Sequence, residues 1–590
     1  MNKTLLTIIF LLFSVYVSDL WADEQEEREL SALLFEQILD FAETTLEEWD
    51  SVRTMYINHQ DITHHRLGAC RTLAWLYRYE DPANPYFGDT AIRDIAIEMG
   101  NILTDPNYLG LGYFQYHGEW LFYTLCQTYE LLEEELTEEN KMKWRRYAEF
   151  YLATRGKRPM FYTAYHHEAG NTLGILRAGQ VFGVPEWEER GKRLMHQLLK
   201  VQTNLGYFDE GPHHGPSTRY NMVQLTVMLL FYDYTGDKEV LSAAKRLADF
   251  MIRYAFPDGS TSGALDGRRI WSLGFTNRLC YGLDRWPRGK ELNRRIFRTL
   301  KKWGFYNYQS PFVTGLDTGA LWRGWWIVDE YLSLRPEAPS SALPQDTDGY
   351  VMAESATTFV GGVARNYGWM VVLSAINSDI PRQSNSIYRL DRQSRIDIWH
   401  ESAGMLIGGG HNLRDTDLPL ANFQLLTGHA GVDSEFGLLS GGSYHDKRAV
   451  YMPRAVAADI TAERQILRQT FGQGDVSLIV EQLDKHRLTI RYEYDVFTLK
   501  KLFVQIPLIL FYNSSLYADG RRVGRDKFSR VEREVRLTNP TMKYELRLTV
   551  PQGLEAAVNQ PVWTRSYYMG YHGDVKRNPY YCIKVLSYFR

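Results

Sequence analysis

The sequence predicts a multidomain α and β protein, with an N-terminal incomplete (α/α)6 toroid followed by an antiparallel β-sandwich. Three observations carry that expectation. The chain has 590 residues, more than one core usually serves. Its first half repeats apolar, helix-like segments at intervals of about 50 residues, as stacked helical hairpins do. Beyond "RPEAPSSALPQDTDG" (Arg335 to Gly349), a stretch rich in Pro, Ser and Ala, the pattern changes to short runs, several alternating with period two.

The chain opens on Met1-Asn2-Lys3, an apolar stretch from Leu5 to Val17, the small residue Ala22 and an acidic start after it. That order is the pattern of a cleavable signal over residues 1–22, so the mature protein is expected to be periplasmic or secreted. The apolar stretch is too short to span a bilayer, and no later segment reaches 18 clean apolar residues, so no membrane insertion is expected.

Residues 23–335 hold the helical repeat. Its six apolar segments begin near His65, His117, His167, Arg219, Arg269 and Thr318, and each is apolar nearly all round, as a buried helix is. Between them lie charged amphipathic helices. Thr137 to Gly156 starts on a Thr placed as an N-cap, and Pro185 to Gln202 starts on a Pro at the first helical position. Buried and surface helices alternating in this way can close into a ring, and periodicity alone does not exclude an open solenoid. Residues 336–348 are the linker. In residues 349–590, "RIDIWHE", "DVSLIVEQL", "RLTIRYEYDVFTL", "YELRLTV" and "YYCIKVLSYF" are strand-like, with Gly, Asn and Asp in the turns between.

Composition narrows the partners. A net charge of −4 argues against nucleic acid, so any acidic ligand must be met by a local patch. The 39 Tyr, 27 Phe and 15 Trp serve a large core first, and would also suit sugar-stacking clefts. Cys70, Cys126, Cys280 and Cys582 lie far apart without metal-type spacing and read as buried thiols.

The ring frame organises the candidate site. His65, His117 and His167 fall at the starts of successive buried helices, and "DEGPHHGPSTRY" (Asp209 to Tyr220) leads into the fourth. Inner helices of a ring all run one way, so these starts share a rim where backbone N–H groups and helix dipoles favour anions. Arg219, Arg268 and Arg269 add positive charge suited to a carboxylate or sulfate. A histidine at a helix start can instead cap it or pair with Glu119 or Glu168, but that reading does not predict recurrence in frame.

A glycoside hydrolase would need two opposed carboxylates, for which Asp209 or Glu210 with Asp266 or Glu168 are the candidates. The fourth loop supplies histidine and tyrosine, equipment for β-elimination from a uronic-acid polymer. That reaction neutralises the C5 carboxylate, removes the C5 proton and protonates the departing O4. A third alternative is a non-catalytic protein that binds acidic glycans.

"LGYFDEGPHHGPSTRYNMVQL" resembles the catalytic motif of the (α/α)-toroid polysaccharide lyases with a following β-sandwich, which include hyaluronate, chondroitin and alginate lyases and heparinase II/III-like enzymes. Tyr220 stands in the place of that family's tyrosine. "YHHEAGNTLGI" resembles its second element, offering His166, His167 and Asn171. The resemblance implies an anionic polysaccharide substrate, with Tyr220 as base and acid and His213 or His214 assisting. His167 or Asn171, with Arg219, would clamp the carboxylate. His166, His117, Glu119, Trp120 and Arg268 would line subsites. The chain departs from the family in carrying Gly211 where the hyaluronate-type motif has a histidine, and in lacking its Asn-Trp or Asn-His pair.

No cofactor is required by the sequence. The heparinase-like branch contributes a histidine, and in some members a structural zinc, from the sandwich. Here His400, His411, Tyr444 and His445 match no local motif, and neither a structural zinc nor a calcium has support. Gly408 to Gly410 read as a tight turn, since no helix with Lys-Ser/Thr follows them.

Overall fold

The structure, a computed structural model, describes residues 3–57, 65–105, 118–154, 165–209, 215–265, 281–303, 327–335, 339–375, 394–408, 455–471, 474–496, 503–511, 514–523, 529–540, 543–550, 555–563 and 581–589. A long helix, α1 (Lys3–Ile57), runs through the expected signal boundary into the helical domain. Hairpins follow: α2 (Cys70–Arg78) with α3 (Thr90–Leu103), α4 (Gly118–Leu132) with α5 (Glu138–Thr154), α6 (Tyr165–Val181) with α7 (Pro185–Leu199), and α8 (Thr218–Thr235) with α9 (Lys238–Arg253). They are succeeded by α10 (Pro287–Trp303) and a short helix over 327–333.

Local chemistry sets the helix ends. Asp89 and Asp237 cap α3 and α9 by accepting from Ala91 N (2.8 Å) and Glu239 N (2.9 Å). Thr137 Oγ1 accepts from Asn140 N (3.2 Å), the expected cap of α5, and Pro185 opens α7. The inner helices α2, α4, α6 and α8 each pack on the next, and their side chains are buried almost all round.

The ring closes. Arg71 of α2 grips Asp329 through both guanidinium nitrogens across 258 residues, with both side chains buried. Beside this pair, the Tyr79 and Tyr331 hydroxyls bond at 2.9 Å, and Phe35 of α1 packs on Trp75 and Tyr331. Glu26 and Glu27 hold α1 on α10 through Arg294 (2.9 Å), Arg298 (2.6 Å) and Lys290. An open solenoid has no contact between its first and last repeats, so the toroid is the arrangement present.

The described part of the expected linker, 339–348, is packed. Gln345 is fully buried, its amide donating to Ile252 O (2.9 Å) and Ala255 O (2.6 Å), and Asp346 pairs with Arg295 at 2.5 Å. Beyond it, antiparallel strands form an open nine-stranded sheet in the order β1-β2-β3-β4-β5-β10-β17-β16-β13. These are β1 (Val351–Ala356), β2 (Phe359–Asn366), β3 (Trp369–Ala375), β4 (Ser394–His400), β5 (Gly404–Ile407), β10 (Phe503–Phe511), β13 (Ser529–Val531), β16 (Glu555–Trp563) and β17 (Tyr581–Phe589). Two four-stranded sheets complete the domain. One is β6 (Ala455–Ile460), β7 (Arg464–Phe471), β8 (Gly474–Asp484) and β9 (Arg487–Val496); the other is β11 (Ser515–Ala518), β12 (Arg521–Arg522), β14 (Glu534–Asn539) and β15 (Tyr544–Thr549).

Strand alternation sorts the large sheet's faces. Met370, Val372 and Trp399 join the helical core, while Val371, Leu373, Ile396 and Ile398 join a second core with β7, β8, β11 and β14. The sheet thus lies between the helices and the outer strands. Cys70 and Cys126 are buried free thiols, as expected. Cys280 and the side chain of Cys582 lie outside the described residues.

Candidate functional site

Three inner helices bring their N-termini together. The imidazole of His166, in the first turn of α6, stacks on the ring of Tyr220, in the first turn of α8, with centroids 4.0 Å apart and planes at 25°. His167 lies beside it at 4.2 Å, and its Nδ1 bonds Glu119 Oε1 from the first turn of α4. Glu119 is buried, whereas the His167 side chain is 22% exposed, so the histidine is the member that a ligand can reach.

Close approach of α4 and α6 depends on Gly170. A Cβ there would lie 2.7 Å from two ring carbons of Trp120 and 2.9 Å from Glu119 Cγ. Trp120 is only 1% exposed, so its indole supports the rim from behind and offers no stacking face. One turn below His167 on the same helix face, Asn171 Oδ1 accepts from the Tyr151 hydroxyl at 2.5 Å. That bond orients the Asn171 side chain.

The approach to α8 is fastened at several points. Asn221 clamps Phe208, with Oδ1 accepting from Phe208 N and Nδ2 donating to Phe208 O, each at 2.8 Å, and Nδ2 also reaches Ser217 O at 2.9 Å. Asp209 and Pro216 form an antiparallel bridge at the neck of the intervening loop. Thr218 Oγ1 donates to Ser262 O at 3.3 Å, tying the first residue of α8 to the next repeat. Tyr165, just before the histidine pair, has its phenol pushed up to about 12 by burial and by the nearby Asp209 carboxylate.

The structure therefore joins Tyr220, His166, His167, Glu119, Trp120 and Asn171. His213, His214, Glu210, His117, Asp266, Arg268 and the side chain of Arg219 lie outside the described residues. In the sandwich, His400 bonds locally, Nδ1 with Ser402 Oγ (2.8 Å) and Nε2 with Lys485 O (3.1 Å), and burial lowers its basicity. His411, Tyr444 and His445 are outside the described residues. No group of three or more metal-ligating side chains occurs among the described residues, and no helix among them is long and apolar enough to cross a membrane.

No family model matches the sequence, and no curated protein does. Among solved structures, the chain is similar to the Streptomyces coelicolor A3 chondroitin AC lyase in complex with chondroitin sulphate, at 13% identity and TM-score 0.47, covering 94% of this chain and 77% of that one. It is also similar to heparinase III, at 10% identity and TM-score 0.46 over 89% and 76% of the two chains. A third likeness is to a heparan sulfate lyase mutant from Pedobacter heparinus, at 11% identity and TM-score 0.43 over 89% and 76%. Likenesses of this size transfer no residue role, so the chemistry below rests on this chain's own contacts.

Three contributors carried no sequence signal as site residues. Tyr151 reaches Asn171 from an outer helix, Tyr165 reads as ordinary core, and Thr358, described below, comes from the other domain. Asn221 directly follows Tyr220, and only the fold shows that its amide closes on Phe208.

Proposed function

We propose that the protein is an exported lyase that cleaves a uronate-containing polysaccharide by β-elimination at the rim formed by the starts of α4, α6 and α8. The observation that carries this reading is the Tyr220–His166 stack with His167, itself anchored by Glu119, directly alongside. It sets a phenol, an accessible imidazole and helix N-termini at one mouth, which is the set that β-elimination needs.

The uronate carboxylate would be met by the Asn171 amide NH2, His167 and Arg219, and by the positive ends of the inner helices. Tyr220, as phenolate, takes the C5 proton. The C4–O4 bond then breaks, its electron pair leaving with O4 as a C4=C5 double bond forms. Tyr220 returns the proton to O4 and ends the cycle as it began. A free phenol titrates near ~10, so a neighbouring cation such as Arg219 assists its ionisation. His213 or His214, on the loop closed by the Asp209–Pro216 bridge, would assist as a further base. Export is supported by the apolar Leu5–Val17 stretch, and cleavage after Ala22 would retain Glu26 and Glu27, which bind α1 to α10.

Incubation with a panel of uronate polymers, following ultraviolet absorbance of the new double bond, tests the proposal. Wild-type protein is expected to generate absorbance. Tyr220→Phe is expected to generate none while melting as the wild type does. New reducing ends without absorbance would establish a hydrolase instead, and binding without product a glycan-binding protein.

A further inference from the structure

Thr358 lies between Ala356 and Phe359, the end of β1 and the start of β2, at a hairpin turn. Turn tips ordinarily lie at the surface, yet Thr358 is only 4% exposed, because this turn is driven into the helical domain. Its hydroxyl donates to Asp209 Oδ1 at 2.8 Å. A hydroxyl has one proton to give, so the 2.8 Å contact with Tyr207 is one in which the tyrosine donates. The result is a directed relay, Tyr207 to Thr358 to Asp209, joining segments about 150 residues apart.

Both ends of the relay are fixed. The Tyr207 ring is fully buried between Phe250 of α9 (4.9 Å) and Phe359 of β2 (6.1 Å). Asp209 forms the loop's neck with Pro216, and the chain enters α8 only two residues later. The neighbouring residue, Phe208, is the one Asn221 holds through both backbone groups. Residues 207–209 are thus held from the helix side by Asn221 and from the sheet side by Thr358.

We propose that Thr358 is a positioning residue for the rim: through its hydroxyl the β-domain sets the neck of the loop that carries His213 and His214 and leads into Tyr220. The proposal rests on the lyase reading for its kinetic consequence and on geometry alone for its mechanical one. It makes the sandwich part of the active machinery.

Thr358→Val keeps the shape and removes the hydroxyl, and Thr358→Ser restores it. In the full-length protein, Thr358→Val is expected to lower kcat on a uronate polymer at least tenfold with KM changed less than threefold, and Thr358→Ser to recover most of the loss. Hydrogen–deuterium exchange is expected to speed up at least tenfold for amides in the 207–218 segment in the Val variant, and amides of α2 and α3 to exchange as in the wild type. Unchanged kcat together with unchanged exchange in 207–218 would overturn the proposal, as would acceleration spread evenly over the helical domain. If the wild type yields no unsaturated product from any polymer, the lyase reading fails, and the exchange measurement alone decides the positioning role.

Discussion

Glu119 illustrates how one residue's burial sets another's chemistry. Its carboxylate is almost wholly inaccessible, so its part at the rim is to hold His167 by Nδ1. Glu119→Gln keeps the volume but lets an amide N–H face Nδ1, which reverses the tautomer. We expect kcat to fall on the order of 10²-fold, the lower range for a misplaced acid–base group, with a displaced pH profile and an unchanged melting temperature. Loss of stability with an unshifted profile would leave Glu119 merely structural. Asp284 is a different residue-scale case. Burial raises its carboxyl to about 6, against the pull of a 2.7 Å bond from Asn293 Nδ2 and of nearby Lys290. Below about pH 3 the group is protonated whether folded or unfolded and costs nothing. As pH rises to 6, the unfolded chain releases a proton that the fold retains, so stability falls by about 3 kcal/mol and stays lower above that. Asp284→Asn is therefore expected to gain on the wild type between pH 4 and pH 7 in thermal unfolding; parallel curves would refute this.

At the scale of elements, the 50-residue frame was legible because an inner helix is buried all round and its apolar run has no polar stripe. α4, α6 and α8 begin at residues 118, 165 and 218, beside the positions that frame marks, and this alone gathers His167, Glu119 and Tyr220 at one rim. Closure was expected from the repeat, but the pair that makes it was not legible. Arg71 and Asp329 stand in segments that each read as ordinary helix, and periodicity carries no information about a bond across 258 residues. Trp120 was misread for a related reason: an aromatic at a helix start can face the cleft or the core, and the missing Cβ of Gly170, 50 residues on, decides for the core. The closing pair can be tested. Asp329→Ala leaves a buried guanidinium without its counter-ion, and removing one partner of such a pair costs about 3–5 kcal/mol. Denaturant unfolding of that variant should show the loss, and a change below about 1 kcal/mol would mean that the apolar contacts of Phe35, Trp75 and Tyr331 close the ring unaided.

For the whole molecule, the join between domains is as specific as the rim. Asp397 of β4 is fully buried on the helix-facing side of the large sheet, where Oδ2 accepts from Ser262 Oγ (2.7 Å) and Ala264 N (2.8 Å). Gly408, at φ +137°, makes room for it, since a Cβ there would lie 2.1 Å from Oδ1. Ser374 adds a bond to Ala264 O, and Trp399 Nε1 reaches Asp258 at 2.9 Å. The segment so held, 258–264, includes Ser262, whose carbonyl accepts from Thr218 two residues before Tyr220. The sheet therefore reaches the start of α8 by a second path that does not pass through Thr358. Asp397→Ala strips the acceptor from two buried donors and is expected to cost about 2–4 kcal/mol. Because the same segment anchors α8, turnover should fall along with stability, and the loss should add to that of Thr358→Val, as independent routes do. Calorimetry and steady-state kinetics on the two single variants and the double variant measure this together. Losses in the double variant no larger than in either single one would show one path where the contacts draw two.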